Sequence, residues 1–157
     1  MLRTMVEQHH CKFMDRVPNW QEAIRQSCGL LEADGCVDAS YAELIIDCVR
    51  RYGPYIIIIP NVCLAHSQEH AGGVKKTGLS FLHLAEPVDF SLADGESHPA
   101  QLIFALSAVN PEQHLQHVVA LSDLLSIRGM PEHLAAATCE EDLLRLQERY
   151  LDRPGLL

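Results

Sequence analysis

Nine histidines in 157 residues are the first chemical feature of this sequence, and His66 has the most telling place among them. It follows the apolar stretch 55–64 directly and precedes the polar segment HSQEHAGG, so it stands where a strand gives way to a loop. Reactive groups in sheet proteins sit at such points, held by a rigid element yet open to a partner. An imidazole there is a nucleophile and an acid–base group near neutral pH, with an unperturbed pKa of about 6.5. The bland alternative is an ordinary surface histidine. His114 and His117 lie three apart in the segment after Pro111, so on a helix they lean the same way. A strand-end His66 and a first-turn His114 could converge across one cleft; without that, His114 and His117 both read as solvated helix-surface residues.

A metal reading competes. Cys63-x-x-His66-x-x-x-His70 has a spacing that zinc accepts. Cys63 and His66, however, are three apart in an extended stretch, so their side chains point to opposite faces. No H-E-x-x-H motif or second cysteine pair supports them, and neither a G-x-S-x-G elbow, a Walker A loop nor a G-x-G-x-x-G fingerprint is present. His66 beside Ser67 makes no triad. The expectation is no metal and no cofactor.

The scaffold around these residues follows from size and patterning. One domain over residues 1–157 fits this length, and a chain of this size buries enough surface to fold without staples. Hydrophobic residues are 48% and charged residues 21%, a globular balance. The formal net charge of −9 argues against a nucleic-acid partner, because phosphate-backbone binding needs a basic face. No apolar run approaches the length of a membrane span, and the start MLRTMVEQHHCKF is too polar for a signal peptide, so the chain reads as cytoplasmic. Six cysteines without a C-x-x-C are expected to be free thiols, with Cys28, Cys48 and Cys139 acting as small hydrophobes.

Residues 1–17 read as an irregular segment and 153–157 as a frayed tail. Asn19 caps a helix carrying Trp20, Ile24, Leu30 and Leu31, which ends at Gly35. Asp38 or Ser40 caps a second, with Tyr41, Leu44, Ile45, Cys48 and Val49 as its stripe, ending near Gly53-Pro54. Tyr55 to Ile59 reads as a strand covered on both faces. Pro60-Asn61 breaks it, and Val62 to Leu64 is a second short strand or its resumption. Thr77 to Leu84, the short Val88 to Phe90, and Leu102 to Val109 complete the strands. Pro111 opens a helix expected to face the core with Leu115, Val118, Val119, Leu121 and Leu125. Pro131 opens a short one, and Thr138 with Glu141 forms the capping box of the last. Helices, then strands, then helices give an α/β single domain, a mixed β-sheet flanked by helices.

The order of these segments resembles a known family. It runs Asn19-Trp20-Gln21-Glu22-Ala23-Ile24, Tyr41 to Asp47, Gly53-Pro54-Tyr55, Val62-Cys63-Leu64-Ala65-His66, Gly73-Val74-Lys75-Lys76-Thr77-Gly78, Pro87-Val88-Asp89-Phe90 and Leu106-Ser107-Ala108-Val109. Together they look like enzyme IIA of the mannitol/fructose class of the bacterial phosphoenolpyruvate-dependent sugar phosphotransferase system. The G-P-Y and V-K-K-T-G segments look most like its ascorbate-type and cryptic mannitol-type members. The resemblance implies that His66 accepts a phosphoryl group from phospho-HPr and passes it to a cysteine of enzyme IIB, for an ascorbate- or mannitol-like sugar bound by the membrane enzyme IIC. It also implies that His114 is the second active-site histidine, with His117 an outside candidate. The start of the helix would then favour the phosphoryl anion through its unpaired N–H groups. Ala65 stands where the family usually has Pro, and Ser67-Gln68 replace its usual small residue and Arg. Those departures favour the rival reading, a non-catalytic regulatory or cryptic relative; a zinc module is the other rival.

Overall fold

A computed structural model describes residues 1–67, 72–91 and 95–152. The chain forms α1 (Leu2–Glu7), β1 (Cys11–Met14), α2 (Trp20–Ala33), α3 (Ser40–Tyr52), β2 (Ile57–Ile59), β3 (Asn61–Ala65), β4 (Gly78–Asp89), β5 (Pro99–Ser107), α4 (Pro111–Ser126), α5 (Met130–Ala136) and α6 (Glu140–Leu146), which runs into a π-helical turn at Gln147–Leu151. The five strands make one mixed sheet in the order β1-β4-β5-β3-β2. β1 runs parallel to β4, and β3 parallel to β5; the β4–β5 and β2–β3 pairs are antiparallel. The expected single α/β domain with a mixed sheet is what the chain adopts.

The central strands are apolar on both sides because both faces are covered. Cys63, Ala65, Leu82, Leu84, Ile103 and Ala105 face one core with Trp20, Ile24, Leu31, Ile45 and Val49 of α2 and α3. Their neighbours one residue away, among them Leu64, Phe81, Leu102 and Phe104, face a second core with Leu2, Leu121, Leu124, Leu134 and Leu143. Period-two alternation therefore sorts adjacent residues into two cores, and it puts Leu64 and Cys63 on opposite sides of β3.

Capping explains where the helices begin. Asn19 accepts from the Glu22 N–H at 2.9 Å and caps α2. At α3 neither Asp38 nor Ser40 holds the cap position, which falls to Ala39; Asp38, one residue earlier, accepts from the Ser40 N–H at 2.9 Å and from its hydroxyl. Gly53, at φ 88°, closes α3 in a conformation side chains avoid.

Several expectations need correction. Residues 1–17 are not irregular: they hold α1 and β1. α1 packs against the second core through Leu2 and Met5, a surface too short to announce itself by periodicity. The isoleucine run is not a two-sided strand. Only Ile57–Ile59 is extended, as an edge strand with Ile58 exposed, and Pro60-Asn61 turns the chain back into β3 with Asn61 at φ 73°. Val88 and Asp89 belong to β4 rather than to a separate strand. In α4, Leu121 and Leu124 are buried while Leu115 and Val119 are exposed. The last cap uses Asp142 instead of Glu141: its carboxylate takes both the N–H and the hydroxyl of Thr138. The described cysteines are free as expected, but Cys139 is exposed rather than packed. Gln68, His70 and the tail 153–157 lie outside the described residues.

Candidate phosphoryl-accepting site

His66 follows the last residue of β3, and His114 lies one turn into α4, the helix that follows the neighbouring strand β5. Because β3 and β5 are parallel, their C-terminal ends coincide, and the two rings meet there with centroids 5.6 Å apart. The convergence expected for a strand-end and a helix-start histidine is present. His117 donates Nδ1–H to the Gln113 carbonyl at 3.0 Å and borders a different groove, beside Met1, Thr4 and Gly78. Cys63 is fully buried on the α2/α3 side, its thiol pushed up by desolvation, so it cannot share a ligand sphere with His66.

The half-buried ring of His66 is fixed through one of its nitrogens. Nδ1 lies 2.7 Å from the Leu64 carbonyl. A carbonyl only accepts, so Nδ1 carries the proton and the lone pair of the neutral ring is on Nε2. Burial holds the His66 pKa below its ordinary value, the Leu64 carbonyl pulls it back up, and the nearby His114 adds a smaller downward push. Partial burial thus keeps the ring neutral and Nε2 nucleophilic.

The surroundings hold this geometry. Tyr55 donates its hydroxyl to the His66 carbonyl at 2.6 Å, and its ring meets the imidazole edge-on at a centroid distance of 5.1 Å. Tyr41 donates to the Leu106 carbonyl at 2.6 Å, tying α3 to the end of β5. Thr77 donates to the Gln113 side chain and accepts from the Val109 N–H at 3.1 Å, which fastens the start of β4 to the root of α4. Sequence reasoning missed Tyr55, Thr77 and Gln113 as positioning groups. The signal was available in part, since an aromatic with a polar tip heads an otherwise aliphatic run.

The start of α4 is less open to an anion than its sequence suggests. Pro111 has no N–H, Asn110 takes the Gln113 N–H through its side chain at 2.9 Å, and its carbonyl takes the His114 N–H at 3.1 Å. With those two donors taken, the His114 ring and the helix dipole are the main features that α4 offers at this site. Leu115 and Val119, 62% and 49% exposed, continue the same helix as an apolar strip.

Residues 4–149 match the family model described as phosphoenolpyruvate-dependent sugar phosphotransferase system, EIIA 2. The ascorbate-specific PTS system EIIA component of Escherichia coli (strain K12) is 28% identical over 147 residues, covering 93% of this chain and 94% of that protein. The solution structure of the mannitol-specific cryptic phosphotransferase enzyme IIA CmtB from Escherichia coli is 31% identical with a TM-score of 0.78, covering 89% of this chain and 92% of that one. Enzyme IIA of mannitol from the same organism, solved in complex with phosphorylated enzyme IIB, is 27% identical with a TM-score of 0.73, covering 87% of this chain and 93% of its own.

Proposed function

The chain belongs to the EIIA 2 family of the phosphoenolpyruvate-dependent sugar phosphotransferase system, and we propose that it is a phosphohistidine carrier that works through Nε2 of His66. The observation that carries this reading is the bond from Nδ1 of His66 to the Leu64 carbonyl, which leaves the lone pair on Nε2 in a ring whose centroid is 5.6 Å from that of His114. The donor is the phosphohistidine of HPr. The Nε2 lone pair forms the new N–P bond as the donor's N–P bond breaks, and the donor imidazole recovers the electron pair. In the second half a cysteine thiolate of enzyme IIB attacks phosphorus, and the N–P pair returns to Nε2. His66 keeps its Nδ1 proton throughout, so each transfer needs only in-line approach and charge stabilisation. His114 donates a hydrogen bond to a phosphoryl oxygen. The exposed Leu115 and Val119 beside it supply apolar surface for protein partners to dry the site. Among the described residues no helix is long and apolar enough to cross a membrane, which fits a carrier acting in the cytoplasm between HPr and enzyme IIB, with the membrane enzyme IIC binding the ascorbate- or mannitol-like sugar.

The experiment incubates the protein with phosphoenolpyruvate, enzyme I and HPr and reads intact mass. A gain of one acid-labile phosphoryl group in the wild type, absent from a folded His66→Ala variant, is the expected result. No gain in the wild type establishes a non-catalytic relative instead, and full labelling of His66→Ala moves the acceptor elsewhere.

A further inference from the structure

A second cluster of chemically competent side chains lies three strands across the sheet from His66. His10 immediately precedes β1, Asp34 immediately follows α2, and Cys36 begins the link to α3. One ligand atom from each lies within 4.8 Å of the others. Nε2 of His10 is 2.9 Å from Oδ2 of Asp34, and Sγ of Cys36 is 3.9 Å from the same oxygen. A tetrahedral zinc ion with bonds of about 2.0–2.3 Å sets its ligands roughly 3.3–3.8 Å apart, so these separations bracket the required ones.

The backbone builds this cluster. Gly35, at φ 72°, turns the chain between Asp34 and Cys36 so that both side chains reach one point. His9, at φ 59°, makes the corresponding turn before His10 and sends that ring inward, where it is buried. Gly78 makes room for the sulfur, because a Cβ there would stand 2.9 Å from Sγ of Cys36. Nδ1 of His10 lies 3.0 Å from the Leu79 carbonyl. That nitrogen therefore carries a proton, and Nε2 is aimed at a carboxylate oxygen that also only accepts. A positive particle has to lie between Nε2 and Oδ2, either a proton or a metal ion. A histidine whose Nδ1–H is anchored on a carbonyl while Nε2 faces a carboxylate and a thiol is the arrangement in which imidazole ligates zinc.

We propose that His10, Asp34 and Cys36 form a zinc-binding site with a fourth position open to solvent. One imidazole nitrogen, one carboxylate and one thiolate suit a borderline-soft divalent ion better than magnesium or calcium, which take oxygen ligands. On binding, the Cys36 thiol proton leaves to solvent as the Zn–S bond forms, and the ion replaces the proton between His10 and Asp34. Lys76, whose Nζ is 3.5 Å from the other Asp34 oxygen and whose side chain is half exposed, keeps that oxygen or swings away. The ion staples the start of β1 to the α2–α3 link. Cys36 also accepts the N–H groups of Lys75 and Lys76 through its carbonyl, so the staple extends to the segment that leads into Thr77. The site is independent of the phosphoryl chemistry at His66.

The test titrates the reduced, metal-free full chain with Zn2+ and with Co2+, reading native mass spectra, cobalt absorption and melting temperature. One ion per chain, a thiolate-to-cobalt charge-transfer band and a zinc-dependent rise in melting temperature are expected. Cys36→Ser removes the band. Asp34→Asn, on a partly exposed side chain that tolerates the change, weakens binding more than about tenfold, since even an outer-shell partner is worth about 10- to 100-fold. A His66→Gln/His114→Gln double variant binds as the wild type does. Absence of a one-to-one complex in the wild type, wild-type binding by Cys36→Ser, or loss of binding in the double variant overturns the site.

Discussion

Tyr55 and His66 are joined twice: the phenol donates to the His66 carbonyl at 2.6 Å, and the two rings meet edge to face at 88°. Tyr55 leads into the edge strand and His66 leaves its hairpin partner β3, so the contact closes the hairpin across its open end. Tyr55→Phe keeps the ring contact and removes only the hydrogen bond. A neutral hydrogen bond is worth about 0.5–1.5 kcal/mol, which predicts a roughly 2- to 10-fold slower transfer from phospho-HPr. Nitrogen chemical shifts of His66 should report greater tautomer exchange in the same variant, a readout that a loss of global stability alone does not produce.

His66 should remain neutral at pH values where an ordinary histidine is protonated. Its pKa is lowered, first by desolvation, so the folded state binds a proton less readily than the unfolded chain. The sign follows: phosphoryl acceptance persists below pH 6.5, and stability falls as pH drops from the unfolded value toward the folded one. NMR titration of the His66 ring beside a denatured-state reference checks both. A His66 midpoint at or above the reference contradicts the burial argument.

The buried Gln147 holds the two ends of the chain together. Its carbonyl oxygen accepts from the Leu2 and Arg3 N–H groups at 3.0 and 3.3 Å, donors that a helix start leaves unpaired, and its amide donates to Asp152 at 3.0 Å. Asp152, paired with Arg3, has its pKa lowered to about 2. Gln147→Leu fits the volume but strands the α1 donors, which predicts a loss of about 1–3 kcal/mol in urea denaturation. A change under about 0.5 kcal/mol, as for an ordinary surface substitution, means that water satisfies those groups instead.

What was legible in the sequence followed from strong local signals. Asn19 capping α2, the stripe from Tyr41 to Val49, Pro111 at the start of α4 and the strand-end place of His66 all rest on short-range chemistry. The errors came where tertiary context decides. Five consecutive β-branched or aromatic residues, Tyr55 to Ile59, look like a central strand, yet the Pro60-Asn61 turn makes Ile57–Ile59 an edge. Leu115 and Val119 carry the helical period of a buried face and are exposed, because α4 meets the sheet through Leu121 and Leu124. The N-terminal strand was invisible because Cys11 to Met14 gains its extended form from pairing with Phe81 to Leu84, far along the chain. The cluster of His10, Asp34 and Cys36 was hidden for the same reason.

His114 is the sharper test of the site, because its role separates from that of the helix start. The N–H groups of Gln113 and His114 are already held by Asn110, so a phosphoryl group on His66 gains from α4 chiefly through the His114 ring. A hydrogen bond to a charged group is worth about 1.5–3 kcal/mol. If it acts mainly in the transition state, His114→Ala slows transfer from phospho-HPr by about 10- to 100-fold. The ring is only partly buried, so the melting temperature should move little. His117→Ala is the internal control: that ring is one turn along the same helix, is bonded to Gln113, and borders the other groove. Initial rates and melting temperatures of the two variants measured together decide the matter. A His114→Ala rate equal to the wild type removes the ring from the mechanism. A large defect in His117→Ala alone shifts the site to the groove beside α1.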